Sequence, residues 1–296
     1  MKTRAKYYFL MPGVIWILAF TLFPLLYSLA LSLTNARLGR PTEFAGLENY
    51  GRFFSGVFSP KTSREQEVIF VSTLLTFGSL TLTLVFGTFV AWLFNHDLRG
   101  LKAMRAILTM PLFAAPIALG YLGVVIFNET SGPVNNMIRF ITGKPAEVVP
   151  VQWITEPTAA RLAVLFTDVW QWTPFVFIVV LAAMQAIPDE LNEAARLDTR
   201  SGWAIFRHIT FPLIAPALGT VALLRLVETF KILDIPTTLT GGGPGAATWT
   251  YSFLAYRTGL VSPFNQGYAS ALAYILVILA VIVSSIYFWR VRARFE

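Results

Sequence analysis

Polar positions in this chain are islands between long apolar runs. Six of the runs are long enough to cross a hydrocarbon core, which takes about 20 helical residues: Pro12–Leu33, Ile69–Phe94, Ala106–Phe127, Leu162–Ala186, Leu213–Ile232 and Tyr268–Trp289. Backbone polar groups find no water in lipid, so runs of this length predict α-helices, and an all-α membrane protein with six transmembrane helices is the expected fold class. An even number of spans puts both termini on one side. The opening Met-Lys-Thr-Arg-Ala-Lys resembles the basic start of a signal peptide, but the apolar run continues past Phe20 to Leu33. An h-region takes about 7–15 residues, so a retained first span is expected.

Composition agrees: of 296 residues, 55% are hydrophobic and 13% charged, outside the range of ordinary soluble domains. The basic residues choose the orientation. Lys2, Arg4 and Lys6, Arg99, Lys102 and Arg105, Arg196, Arg200 and Arg207, and Arg290, Arg292 and Arg294 fall in short segments on one face, which the positive-inside rule makes cytoplasmic. Both termini are then cytoplasmic. The net charge of +7 follows from this bias and from anionic headgroups, so no nucleic acid is needed to account for it. With no cysteine in the chain, thiol catalysis is excluded.

The stretch between the fourth and fifth spans is the most polar interruption. Ile187–Pro216 holds four acids and three arginines. Pro188 stands where a first helical residue is expected, and Asp189 and Glu190 put negative charge in a first turn, so a helix is predicted there. Leu191, Ala194, Ala195 and Leu197 form a small apolar stripe, Ser201 and Gly202 offer a break, and Trp203 to Ile209 resume a helical pattern up to Pro212.

This stretch resembles the cytoplasmic coupling loop of permease subunits in bacterial importers driven by ATP-binding cassettes. The family pattern is Glu-Ala-Ala, a glycine four residues beyond the second alanine, and an Ile-x-Leu-Pro ending. Glu193, Ala194, Ala195, Ile209 and Pro212 match at the family spacing, while Thr199 replaces the glycine and Phe211 the leucine. Threonine adopts a positive φ poorly, which leaves Gly202 as the candidate for the turn. Phe23-Pro24-Leu25-Leu26-Tyr27-Ser28 and Phe44-Ala45-Gly46-Leu47-Glu48-Asn49-Tyr50 are similar to segments of sugar permeases in the same family. Leu239-Thr240-Gly241-Gly242-Gly243-Pro244-Gly245 is similar to a permease of the maltose-transporter type. The resemblance implies a type I ABC importer permease fold, with residues 1–296 as one transmembrane domain and 187–212 as its coupling loop. It implies four kinds of partner besides the lipid bilayer: a second permease subunit in a heterodimer, two ATP-binding ATPase subunits, an external solute-binding protein and a sugar substrate.

Charged residues within spans are expensive and mark pathways or partners. Here they are Asp168, Arg225, Glu228 and Lys231, the last near enough to an end to snorkel. Counted from the coupling loop, the family's sugar-lining positions fall on Asp168, Gln171, Trp172 and Phe175, and on Arg225, Glu228, Thr229 and Ile232. Each set has the i, i+3, i+4, i+7 spacing of one helix face. A purely structural alternative pairs Arg225 with Glu228 at i, i+3 and leaves Asp168 near outer water. Gly78, Ser79 and Gly87 are expected to permit close helix approach, and Pro111 and Pro116 to bend the third span. Gly241 lacks the Gly-Lys-Ser/Thr ending of a phosphate loop, and His96 and His208 lie far apart, so no nucleotide, metal or other cofactor site and no enzymatic centre is expected. The rival readings are an ion-coupled secondary transporter using Asp168 or Glu228, and a membrane-embedded enzyme or scaffold.

Overall fold

The computed structural model describes residues 2–95, 100–145 and 147–295, so the inner-loop residues His96, Asp97 and Arg99 lie outside it. The described chain is helical, with two isolated β-bridges, Thr34 with Phe44 and Arg37 with Asn265. In chain order the helices are α1 (Lys2–Ile17), α2 (Phe23–Ser32), α3 (Glu48–Val57), α4 (Arg64–Phe94), α5 (Leu101–Phe113), α6 (Pro116–Ile126) and α7 (Pro133–Thr142). There follow α8 (Pro157–Gln185), α9 (Asp189–Asp198), α10 (Gly202–Ile205), α11 (Phe211–Phe230), α12 (Asp234–Leu239), α13 (Tyr251–Tyr256) and α14 (Gln266–Phe295).

Five continuous helical stretches among the described residues are long and apolar enough to cross a membrane: Tyr7–Ser32, Arg64–Phe94, Pro157–Gln185, Gly202–Phe230 and Gln266–Arg290. The third span expected from the sequence is broken instead. Lys102–Phe113 and Pro116–Ile126 meet at 103°. The cause is Pro116, which bars the helical conformation to the residue before it: Ala114 and Ala115 are extended, with ψ of 138° and 136°.

Prolines leave a second signature. Three π-helical turns, Leu18–Leu22, Phe206–Thr210 and Arg257–Val261, each end two residues before a proline: Pro24, Pro212 and Pro263. A proline ring crowds the carbonyl four residues back and offers it no N–H. Where the helix continues through the proline, at Pro24 and Pro212, widening the preceding turn by one residue relieves the conflict, with Phe23 N bonded to Leu18 O and Phe211 N to Phe206 O; before Pro263 the helix ends at the extended Ser262, whose N bonds Arg257 O.

Contacts divide the described chain into two compact units, one running to Gln66 with Leu254–Leu279, the other Glu67–Phe253 with the chain from Ala280. In the first, the Phe44–Tyr50 motif closes the end of α2. Gly46 takes φ of 56°, which a side chain would strain, and lets Asn49 reach back. Asn49 Nδ2 donates to the carbonyls of Ser32 at 2.9 Å and Thr34 at 2.8 Å, while Tyr50 shares a hydrogen bond with Ser32 Oγ at 2.7 Å. These satisfy carbonyls that the end of a helix leaves without partners.

The second unit holds two apolar clusters stacked along α4 and α8. One gathers Ala91, Phe94, Val176, Phe177, Val180 and Met184 with Phe206, Ile214 and Val221; the other gathers Val71, Leu75, Val164 and Leu165 with Phe127, Ile232, Ile235 and Leu239. Small residues let the helices meet, as expected for membrane packing. A Cβ on Gly87 would lie 2.5 Å from Val176 Cβ, and one on Gly120 would overlap the Thr238 hydroxyl.

Candidate functional site

Between the two clusters lies a buried polar knot. The sequence places small polar residues on the buried stripe of α4, namely Thr76, Ser79 and Thr83, where apolar residues continue above and below. Asp168 projects from the middle of α8 and Arg225 from α11; they are 3% and 1% exposed, and Ser79 is fully buried. An Arg225 Nη2 donates to an Asp168 carboxylate oxygen and, at 2.6 Å, to Ser79 Oγ, while the Ser79 hydroxyl donates to Asp168. The Arg225 guanidinium also sits over the Trp172 ring, 4.8 Å from its centroid. Low dielectric makes such a pair strong and makes either member alone costly.

The eight expected solute-lining positions separate into groups. Asp168, Arg225, Trp172 and Phe175 are brought together: the Trp172 and Phe175 rings are edge to face with centroids 6.0 Å apart, and both are half-buried. Gln171 is buried, and its Nε2 donates at 3.4 Å to Ala114 O, a carbonyl at the break between α5 and α6, leaving Oε1 without a partner. Arg225 Nε and Nη1 are likewise buried and unpartnered. Glu228 pairs with Lys231 at 2.9 Å, both partly exposed, and not with Arg225. The pairing of Arg225 with Glu228 considered above is therefore not the one formed, and Asp168 lies in the interior and not near outer water. Thr229 is buried with its hydroxyl on Leu226 O, and Ile232 belongs to the second apolar cluster. Ser79 was legible only as a small residue for helix approach; its signal was a hydroxyl on the buried stripe of α4, midway along the helix.

The second set of expected residues lies beyond the C-terminal end of α8. Pro188 caps α9 from outside, one residue earlier in the helix than the sequence suggested, and Thr199 follows in extended conformation at φ −149°. No left-handed residue is needed here, so the missing glycine costs the turn nothing. Gly202 does not carry the turn either. It opens α10, whose N-cap Ser201 accepts from Ala204 N at 3.3 Å, and Thr199 Oγ1 accepts from Ser201 N at 3.2 Å. Glu193 and Ala194 are exposed and Ala195 is 4% exposed, so the Glu-Ala-Ala triplet straddles the helix's two faces. Ile209 lies in the π-turn and Pro212 in the first turn of α11. A polar cavity of about 830 Å³ separates α9 from the span ends, lined in part by Asn95, Gln185, Asn192, Glu193, Arg196 and Thr210.

The glycine string after α12 is a tight loop, with Gly241, Gly242 and Gly245 at positive φ and Thr240 Oγ1 bonded to Thr248 Oγ1 at 2.6 Å. Among the described residues no cluster of three or more His, Cys, Asp or Glu is placed to hold a metal.

Comparison with known proteins completes the picture. The family described as binding-protein-dependent transport system inner membrane component matches residues 83–294. The trehalose/maltose transport system permease protein MalF of Thermococcus litoralis is 34% identical, covering 95% of this chain and 92% of its own length. The lactose transport system permease protein LacF of Rhizobium radiobacter is 28% identical over 97% of this chain and 93% of its own. A chain of a solved bacterial ABC transporter that imports the acidic polysaccharide alginate superposes with a TM-score of 0.83 at 22% identity, covering all of this chain and 97% of that one. A second structure, in complex with an alginate pentasaccharide-bound periplasmic protein, gives 0.81, also at 22% identity, over 97% and 93% of the two chains. With its multi-pass helical membrane fold, the chain belongs to the family of binding-protein-dependent transport system inner membrane components, as a permease subunit of an ATP-driven importer.

Proposed function

We propose that this permease carries a carbohydrate, with the solute passing the Asp168, Trp172, Phe175, Arg225 and Glu228 region and with residues 187–212 transmitting the state of an ATPase. The observation that carries the reading is the charge-compensated, aromatic-edged polar knot in mid-span, in a chain 34% identical to a trehalose/maltose permease. Asp168 with Arg225 and Glu228 with Lys231 cancel in pairs, so this half of the path holds no net charge and suits a neutral polyhydroxy solute. The half-buried rings of Trp172 and Phe175 offer flat apolar faces for sugar C–H groups, and Gln171 Oε1 and Arg225 Nη1 are polar groups that hydroxyls would satisfy.

The mechanical part rests on connectivity. α8 and α11 flank the coupling loop, and the ion pair ties them about 26 Å from the loop end of α8, at 1.5 Å per residue. A push on α9 is thereby delivered to a clamped pair of helices. In this reading ATP closes the dimer of two ATPase subunits, α9 follows within an ATPase cleft through Glu193, Ala194 and Ala195, and the pore formed with a second permease opens to a solute-binding protein outside. Both termini lie in the cytoplasm, and the chain itself catalyses nothing.

Reconstitution tests this. The complex in vesicles, given ATP inside and loaded binding protein outside, is expected to accumulate a neutral di- or oligosaccharide. Uptake driven by a proton gradient without ATP would overturn the reading in favour of ion-coupled transport through Asp168 or Glu228. Single cysteines at Ser262 and Thr199 test orientation: the first is expected to label from outside in intact cells and the second not.

A further inference from the structure

Helix α7 is built inside out. Its inward face is polar, with Asn135 fully buried and Arg139 8% exposed. Asn135 Nδ2 donates to the carbonyls of Glu129 and Val151, each at 2.8 Å, and its Oδ1 accepts from Trp153 Nε1 at 2.9 Å. Arg139 donates to Val148 O and Thr130 O at 2.8 Å and to Asn136 Oδ1 at 2.7 Å. The Glu129 carboxylate gathers the N–H groups of Ile154 and Thr155 at 3.0 and 2.9 Å. These bonds bind the segments on either side of α7, residues 128–132 and 148–155, to the helix and to one another.

The outward face is apolar. Met137, Phe140 and Ile141, at i, i+3 and i+4, are 65%, 89% and 69% exposed. Val148, held against α7 by Arg139, and its neighbour Val149 extend that surface at 39% and 36%. A helix facing water turns its polar side outward, so this arrangement calls for an apolar environment outside the chain.

Two features select lipid as that environment. Only residues 127–132 separate α7 from α6, the second half of the broken span, so α7 starts where the chain leaves the bilayer. The helix carries no acid, and an exposed Lys144 follows its last turn, where a long basic chain reaches headgroup phosphates while its apolar neighbours enter the acyl boundary. We propose that α7 is an interfacial helix that inserts Met137, Phe140 and Ile141 into the leaflet at the end of α8 opposite α9. It would fix the adjoining ends of α6 and α8 relative to the lipid surface while α9 moves at the other end.

The cysteine-free chain allows a direct test. Phe140→Cys carrying a nitroxide, in the assembled complex in phosphatidylcholine–phosphatidylglycerol vesicles, is expected to collide with oxygen several-fold more than with a water-soluble nickel chelate. Adding the solute-binding protein should leave that ratio unchanged. Ile141→Cys provides a second position should the first fail to assemble. Preferential access of the nickel chelate overturns the proposal, and so does protection that develops only when the binding protein is added, since the face would then be a protein dock.

Discussion

Asp168 and Arg225 stand 57 positions apart on different helices and meet in a buried ion pair that Ser79 completes from a third. Removing one member leaves the other charged and desolvated. Asp168→Ala is expected to cost about 3–5 kcal/mol, whereas Asp168→Leu with Arg225→Met should restore most of the stability, because a buried pair is often replaceable by packed apolar groups. Thermal unfolding of the complex in detergent checks both. Equal stability of the single variant and the native chain would show that the pair is not structural.

Glu228 offers the cleaner probe of solute handling. Its pairing with Lys231 is exposed and contributes well under about 1 kcal/mol, so Glu228→Ala should leave assembly and basal ATP hydrolysis unchanged. A hydrogen bond to a charged group is worth about 1.5–3 kcal/mol, and its loss should weaken solute handling roughly 10- to 150-fold, read as uptake against solute concentration. Native uptake in this variant removes Glu228 from the path.

At the coupling loop, Glu193 is exposed and makes no ion pair among the described residues. Glu193→Lys is therefore expected to leave the isolated permease folded and to cost several kcal/mol at a charge-paired ATPase contact. Co-purification with the ATPase and solute-stimulated hydrolysis should both fall. Full coupling in the variant would make α9 a mere linker.

Two glycines separate close packing from turn geometry. Gly120→Ala should destabilise by about 1–3 kcal/mol, because the new methyl overlaps Thr238 between α6 and α12. Gly202→Ala should be neutral or stabilise by about 0.4–1 kcal/mol, since no atom lies within 4 Å of the added Cβ and φ is not positive. A loss of stability at Gly202 would restore it as the residue that carries the turn.

Acid should loosen the loop before α8. Burial raises the Glu129 carboxyl, but hydrogen bonds from Ile154 and Thr155 outweigh it, and backbone bonds from Thr158 and Ala159 lower Glu156. Both groups thus sit below the ordinary 4.5. A depressed carboxylate contributes its stability above the ordinary value and loses it as pH falls through the folded one. Protection of the Ile154, Thr155, Thr158 and Ala159 amides, taken relative to the intrinsic exchange rate at each pH, should fall below the ordinary value and stay constant between pH 7 and 5. Glu156→Gln should abolish the pH dependence at Thr158 and Ala159 alone.

The spans, the loop between the fourth and fifth of them and the start of α9 were legible along the chain, because the exclusion of water from lipid acts on local length and local charge. The break at Ala114–Ala115 was half legible: Pro116 announced a bend, but 103° depends on what α6 packs against, including Thr238 of α12. The same holds for Asn49, whose short motif gave no hint that it reaches the end of α2. Arg225 is the sharpest case. Sequence spacing offers Glu228 as its neighbour on the same helix, yet a guanidinium that packing forces into the interior needs a carboxylate facing inward from another helix, and only the arrangement of α4, α8 and α11 decides that this is Asp168.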